Sequence, residues 1–183
     1  MLKFSLFDNA LPYVEFLSAF GSPADRDRWD QRRAAVALTP EQAELLGQFT
    51  RVTHVMVLAG AWCGDCAAQC PILERFAEVA PVLRVKYLDR DANPEAQAEL
   101  KVNGGGRVPV AVFFSEDGHE VLRFGERTLS HYRKLVAGLV PGRPAPPDPA
   151  AQQALVVADW LREAERAQWM LRLSPRLRAL HAD

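Results

Sequence analysis

An α/β fold with a central mixed sheet, flanked by helices and extended by more helices at both ends, is what this sequence predicts. Three observations carry that reading. Apolar, β-branched runs alternate with segments of helical period in the order β-α-β-α-β-β-α between about residues 52 and 140. Strands separated by helices imply parallel neighbours, and a closing hairpin adds an antiparallel edge. A proline-rich stretch, 141–149, then sets off one further amphipathic helix. The chain divides into an N-terminal helical extension (1–44), an α/β domain (45–140), a linker (141–149) and a C-terminal helical extension (150–183). Its 183 residues suffice for one domain with such additions.

The elements follow in order. Tyr13, Phe16, Leu17 and Phe20 keep helical spacing, and Gly21-Ser22-Pro23 stops the run. A polar stretch, 25–33, contains Trp29. Thr39-Pro40-Glu41-Gln42 carries an N-cap, a first-turn proline and a capping box, so a helix opens there with Leu45, Leu46 and Phe49 toward the core. Residues 52–59 are almost wholly apolar, as in a strand buried on both faces. A turn at 60–65 leads into a helix with Ile72, Leu73, Phe76 and Val79 on one stripe, ended by Pro81. Residues 82–88 read as a second buried strand, 93–102 as a helix capped by Asn93, and 103–106 as a flexible glycine loop. Residues 110–114 and 119–124 form a hairpin about Asp117-Gly118. Thr128 or Ser130 caps the next helix, which runs to about Leu139. In 150–172, Val157, Trp160, Leu161, Ala164, Gln168 and Leu171 share a stripe that packs on the domain, and Ser174-Pro175 precedes a short basic tail. Trp29 and Trp169 are the tryptophans expected at the surface.

Composition narrows the function. There are 22 basic and 23 acidic residues, a net charge of −1, so no nucleic-acid or acidic-lipid partner is expected. No run approaches the ~20 apolar residues of a membrane span, and the N-terminus does not read as a signal peptide. The expected location is cytoplasmic, where an exposed dithiol is mostly kept reduced. Three cysteines do not make a disulfide scaffold, and all fall within eight residues, at Cys63, Cys66 and Cys70.

That cluster holds the chemistry. In Trp62-Cys63-Gly64-Asp65-Cys66, a strand-to-helix turn delivers Cys63 to a helix N-terminus. Unpaired N–H groups and the helix dipole there favour a thiolate. Cys66 lies one turn further in, placed to resolve a mixed disulfide formed at Cys63. Trp62 is placed to pack over the pair. Zinc needs about four ligands, and only Cys70 and scattered histidines remain, so no metal is expected. His54 reads as a core residue. Gly104-Gly105-Gly106 lacks the lysine and the helix of a phosphate loop.

Here the residues resemble the thioredoxin family, over roughly 45–140. A buried strand leads into Trp-Cys-x-x-Cys, Pro71 follows in the helix, a strand ends at Leu88-Asp89, and Val108-Pro109 begins a later strand. The resemblance implies a thioredoxin-like fold, a cis Val108–Pro109 bond lying against the dithiol, and a Val108 backbone that offers hydrogen bonds to a substrate strand. The sequence departs from the best-known pattern at four points. Gly64-Asp65 replaces Gly-Pro, and a carboxylate near Cys63 should oppose its ionisation, which favours a reductant. Asp65 reads equally well as a helix-dipole residue. Val57 stands where the family often buries a proton-relaying Asp. Arg107 precedes Val108-Pro109, as a solvated loop charge, a contact for an anionic substrate or an offset to Asp65. Cys70 is a packed small hydrophobe or a third thiol.

The expected function is thiol–disulfide exchange by Cys63 and Cys66, on a disulfide-containing protein or small molecule, with an unnamed reductant and no bound cofactor. The alternative is a binding or adaptor module with an idle or regulatory dithiol, its added helices recruiting a protein partner or a second copy. Peroxide reduction at Cys63 is the weaker third reading.

Overall fold

A computed structural model describes residues 4–140, 142 and 145–183; Pro141, Arg143 and Pro144 of the expected linker lie outside the described residues. Four strands, β1 (Thr53–Ala59), β2 (Leu83–Asp89), β3 (Val110–Ser115) and β4 (Glu120–Gly125), form one mixed sheet in the order β2-β1-β3-β4. β1 and β3 are the two inner strands, and every residue of both is buried. The fold is the thioredoxin-like α/β arrangement with added helices at both ends.

Strand direction departs from the sequence expectation. β1 and β2 are parallel, but β1 and β3 are antiparallel, with Val57 opposite Tyr87 on one side and Ala111 on the other. Helix length explains the difference. α5 (Gly64–Val79) has 16 residues, about 24 Å, and returns the chain along the full length of a seven-residue strand, about 23 Å. α6 (Pro94–Glu99) has six, about 9 Å, so the chain enters β3 from the end at which it left β2. β2 is an edge strand, half-open at Arg84, Val85 and Lys86 rather than buried throughout. Its outer side is covered in part by a backbone bridge from Leu11 to Tyr87.

The N-terminal helices are α1 (Leu6–Asn9), α2 (Tyr13–Phe20), α3 (Pro23–Ala34) and α4 (Pro40–Gly47). α4 has the expected Thr39/Gln42 capping box. The polar stretch at 25–33 is helical: Ser22 and Asp25 form a second capping box, with Pro23 in the first turn. Trp29, expected at the surface, is fully buried against Tyr13, Phe16 and Tyr87, while Phe20 is exposed. Val79, expected on the buried stripe of α5, is half-exposed at its last turn.

Further along, Asn93 does not cap α6 with its side chain; the amide donates to the Asp89 carbonyl instead. The glycine loop is a tight turn rather than a loose one. Val102 and Gly105 exchange backbone hydrogen bonds around Asn103 and Gly104, both at positive φ. Thr128 caps α7 (Leu129–Ala137). α8 (Pro149–Arg172) starts at an Asp148 cap and buries Val157, Trp160, Leu161, Ala164, Gln168 and Leu171, as the stripe requires. Trp169 is half-buried against Phe49. The basic tail is helical, as α9 (Pro175–His181). One contiguous core runs from Phe7 through the sheet to Ala167, so both extensions share it with the α/β domain. Among the described residues no helix is long and apolar enough to cross a membrane.

Candidate active site

β1 delivers the chain to the site end of the sheet, where Cys63 N–H donates to the Gly60 carbonyl and closes the turn before α5. Two donors from α3 hold that turn through its backbone. The Trp29 indole N–H donates to the Ala61 carbonyl at 2.8 Å, and the Arg28 guanidinium donates to the Trp62 carbonyl at 3.0 Å. Asp25 fixes Arg28 at 2.8 Å. The Trp62 ring is 48% exposed and is tethered to the loop after β2. Its indole N–H donates to Asp91 Oδ2 at 3.1 Å, and the Arg90 guanidinium lies 4.6 Å above the ring.

Cys63 is the N-cap of α5. Its Sγ accepts from the Cys66 N–H at 3.4 Å and lies 3.8 Å from the Val108 carbonyl oxygen. It retains 9% exposure, whereas Cys66 has none and Cys70 only 1%. All three are free thiols. The helix N-terminus supplies the expected donors, but the balance at Cys63 runs the other way. Its hydrogen bond with the Cys66 thiol holds the proton, and burial adds to this, so the Cys63 thiol is pushed up from its ordinary value. Burial pushes Cys66 up as well, and Cys70, hydrogen-bonded to it, adds to the shift. The expectation of an acidic Cys63 is therefore corrected.

The Val108–Pro109 peptide facing this sulfur is cis, as is Gly125–Glu126 at the end of β4. These segments pack so closely that a Cβ on Gly125 would fall 2.4 Å from the Pro109 carbonyl oxygen and 2.9 Å from Val110 Cα, both backbone atoms. Gly64 meets no such neighbour.

Asp65, in the first turn of α5, is not left to act on Cys63 alone: Arg127 holds Asp65 Oδ2 at 2.7 Å. Arg107, a candidate for this offset, instead pairs with Glu126 at 2.6 Å, its side chain half-exposed. Glu126 is buried. Its carboxylate also accepts from Tyr132 Oη–H at 2.8 Å, and its backbone carbonyl accepts from Gln69 on α5 at 2.9 Å. Gln69 in turn accepts from the Trp160 indole N–H at 3.1 Å, which ties α8 to the site. His54 packs between Phe4 and Phe7, remote from the thiols. Among the described residues no group of three or more His, Cys, Asp or Glu is placed to hold a metal ion.

Sequence reasoning brought Cys63, Cys66, Cys70, Val108 and Pro109 to one place, with Trp62, Gly64, Asp65 and Arg107 at its rim. It missed Arg28, Trp29, Arg90, Asp91, Glu126 and Arg127. Their partners lie 19 to 62 residues away in most cases, and nothing local marks them.

The sequence and the fold have counterparts in known proteins. A thioredoxin from Chlamydia muridarum is 36% identical over 62 residues, covering 34% of this chain and 57% of that protein. Thioredoxin X of Arabidopsis thaliana chloroplasts is 35% identical over 83 residues, 43% of each chain. The chain thus spans about half the length of the curated relatives it matches. A Pseudomonas aeruginosa protein of unknown function shares the fold, at TM-score 0.66 and 19% identity over 91% of this chain and 93% of that one. That likeness takes in the helical extensions as well as the sheet. A family model described as thioredoxin matches residues 13–137, more than half of the sequence, and the chain belongs to the thioredoxin family.

Proposed function

We propose that this protein is a thiol–disulfide oxidoreductase working as a reductant, with Cys63 the attacking thiol and Cys66 the resolving one. The observation that carries the reading is the asymmetry of the pair. Cys63 keeps an opening to solvent beside the Val108 carbonyl, while Cys66, in hydrogen-bond reach of its sulfur, is sealed. In the reaction, the Cys63 thiolate attacks one sulfur of a substrate disulfide, that bond breaks, and the departing thiolate takes a proton. Cys66 then loses its proton and attacks Cys63 Sγ, which releases the second substrate thiol. Two electrons and two protons pass to the substrate, and a dithiol reductant restores Cys63 and Cys66.

The elevated Cys63 thiol supports the reducing direction: a more basic thiolate leaves less readily, so the Cys63–Cys66 disulfide is a weak oxidant. The Val108 backbone serves an extended segment of the substrate, and Arg107, tethered by Glu126, is its charged contact. Disulfide-containing proteins or small molecules in a reducing, cytoplasmic setting are the substrates in this reading. The test is insulin reduction with dithiothreitol, wild type against Cys63→Ser. The wild type should accelerate turbidity and the variant should not; equal rates reject the enzyme and favour an adaptor with an idle dithiol.

A further inference from the structure

Three glutamines are buried on the helices α5 and α8. Gln69 donates to the Glu126 carbonyl and accepts from Trp160. Gln168 accepts from the N–H groups of Thr50 and Arg51 and donates to the Arg51 carbonyl and Thr53 Oγ1. Gln152 differs. It is only 7% exposed, and neither its Oε1 nor its Nε2 has a partner among the described residues. Buried amides in folded proteins are satisfied as a rule, and two of these three obey it.

The orphaned amide lines two neighbouring cavities: one of about 290 Å3 where α7, the segment 145–147 and α8 meet, and one of about 280 Å3 where α7 and α8 meet α3 and α5. Lys134 lines both, Arg133 lines the first and Arg32 the second, and none of the three makes an ion pair among the described residues. The carboxylate in the wall, Asp159, is already engaged by the N–H and Oγ–H of Ser130 and by Arg162. Uncommitted charge in the cleft is therefore positive. Its remaining wall is apolar, with Ala137, Pro147, Leu155 and Ala158.

We propose that this cleft binds a small organic anion carrying a peptide-type amide and a short apolar group. Gln152 offers the amide one donor and one acceptor, Lys134 meets the carboxylate, and the apolar wall receives the side chain. A volume near 290 Å3 is at the small end for ligand sites, which restricts the ligand to about the size of one acylated amino acid. No residue of the dithiol mechanism takes part, so this site stands or falls independently of that reading.

N-acetyl-L-leucine is the probe, titrated calorimetrically into the full chain at low salt. Saturable one-to-one binding is expected, weakened at least about tenfold by Gln152→Leu, which keeps the shape and removes both polar atoms. Lys134→Gln, at an exposed helix position, should weaken it several-fold, and uncharged N-acetyl-L-leucinamide should bind the wild type as weakly. Absence of saturation by about 10 mM overturns the proposal. So does equal affinity in Gln152→Leu. If that variant does not fold, unchanged affinity in Lys134→Gln overturns it, and weakened affinity there supports it.

Discussion

The two flanks of the Cys63–Cys66 pair are held by different interactions. On the Trp62 side, α3 grips the turn through backbone carbonyls, with a buried indole and an arginine as donors. On the Asp65 side, Arg127, Glu126 and Arg107 form a chain of charged side chains, partly exposed and tied back to α8 through Gln69. The first flank ends on backbone carbonyls, held by a buried neutral indole and a half-exposed guanidinium, and fixes where the sulfur sits. The second pairs charged side chains, all but Glu126 partly exposed to solvent, and adjusts the field at the sulfur. Position is thus expected to be costly to disturb, and charge cheap.

The largest effect tests position. Trp29→Ala removes a fully buried ring as well as the Ala61 donor and should lower unfolding stability by about 3–5 kcal/mol in urea titrations. Trp29→Phe keeps most of the packing and loses only the donor, at roughly 1–2 kcal/mol. Equal losses in the two would mean that the hydrogen bond, not the packing of the ring, holds the turn, whereas no loss in Trp29→Phe would mean that the packing alone holds it. Gly125→Ala probes the opposite wall. Its new Cβ meets backbone rather than a movable side chain, and a loss of roughly 1–3 kcal/mol is expected, with slower alkylation of Cys63 as the Pro109 segment shifts.

Proton linkage comes next. Because Cys63 is pushed up, the thiol is the dominant form at neutral pH and the reactive thiolate grows with alkalinity. Its alkylation rate by iodoacetamide should rise about tenfold per pH unit from 7 to 9. A plateau within that range would show that the donors at the helix N-terminus outweigh the Cys66 hydrogen bond and burial. The smallest effect tests charge. Arg127→Gln leaves the Asp65 carboxylate unopposed and should slow Cys63 alkylation roughly two- to fivefold. Its stability cost should stay within ~1 kcal/mol, since both partners are about a quarter exposed. Adding Asp65→Asn should restore the rate.

What could be read from the residues follows the range of the interactions. The strand 53–59, the turn to Cys63 and the Thr39 cap are local patterns, and the structure keeps each of them. α3 carries the same kind of cap, Ser22-Pro23-x-Asp25, but Trp29 is its one buried residue, so it shows no apolar period and reads as a polar stretch. The direction of β3 follows from how short α6 is, and the carboxylate chain around Asp65 from a contact 62 residues distant. Cys63 illustrates the limit most clearly. Its place at a helix N-terminus is plain from the spacing, yet its proton is governed by the hydrogen bond with the Cys66 thiol and by its own burial, properties of the assembled core.

The equilibrium redox potential of the Cys63–Cys66 couple at pH 7, measured against glutathione or dithiothreitol buffers, tests the reducing role most directly. A value near or below about −270 mV is predicted; a value near about −120 mV, that of a disulfide-introducing oxidant, would contradict it.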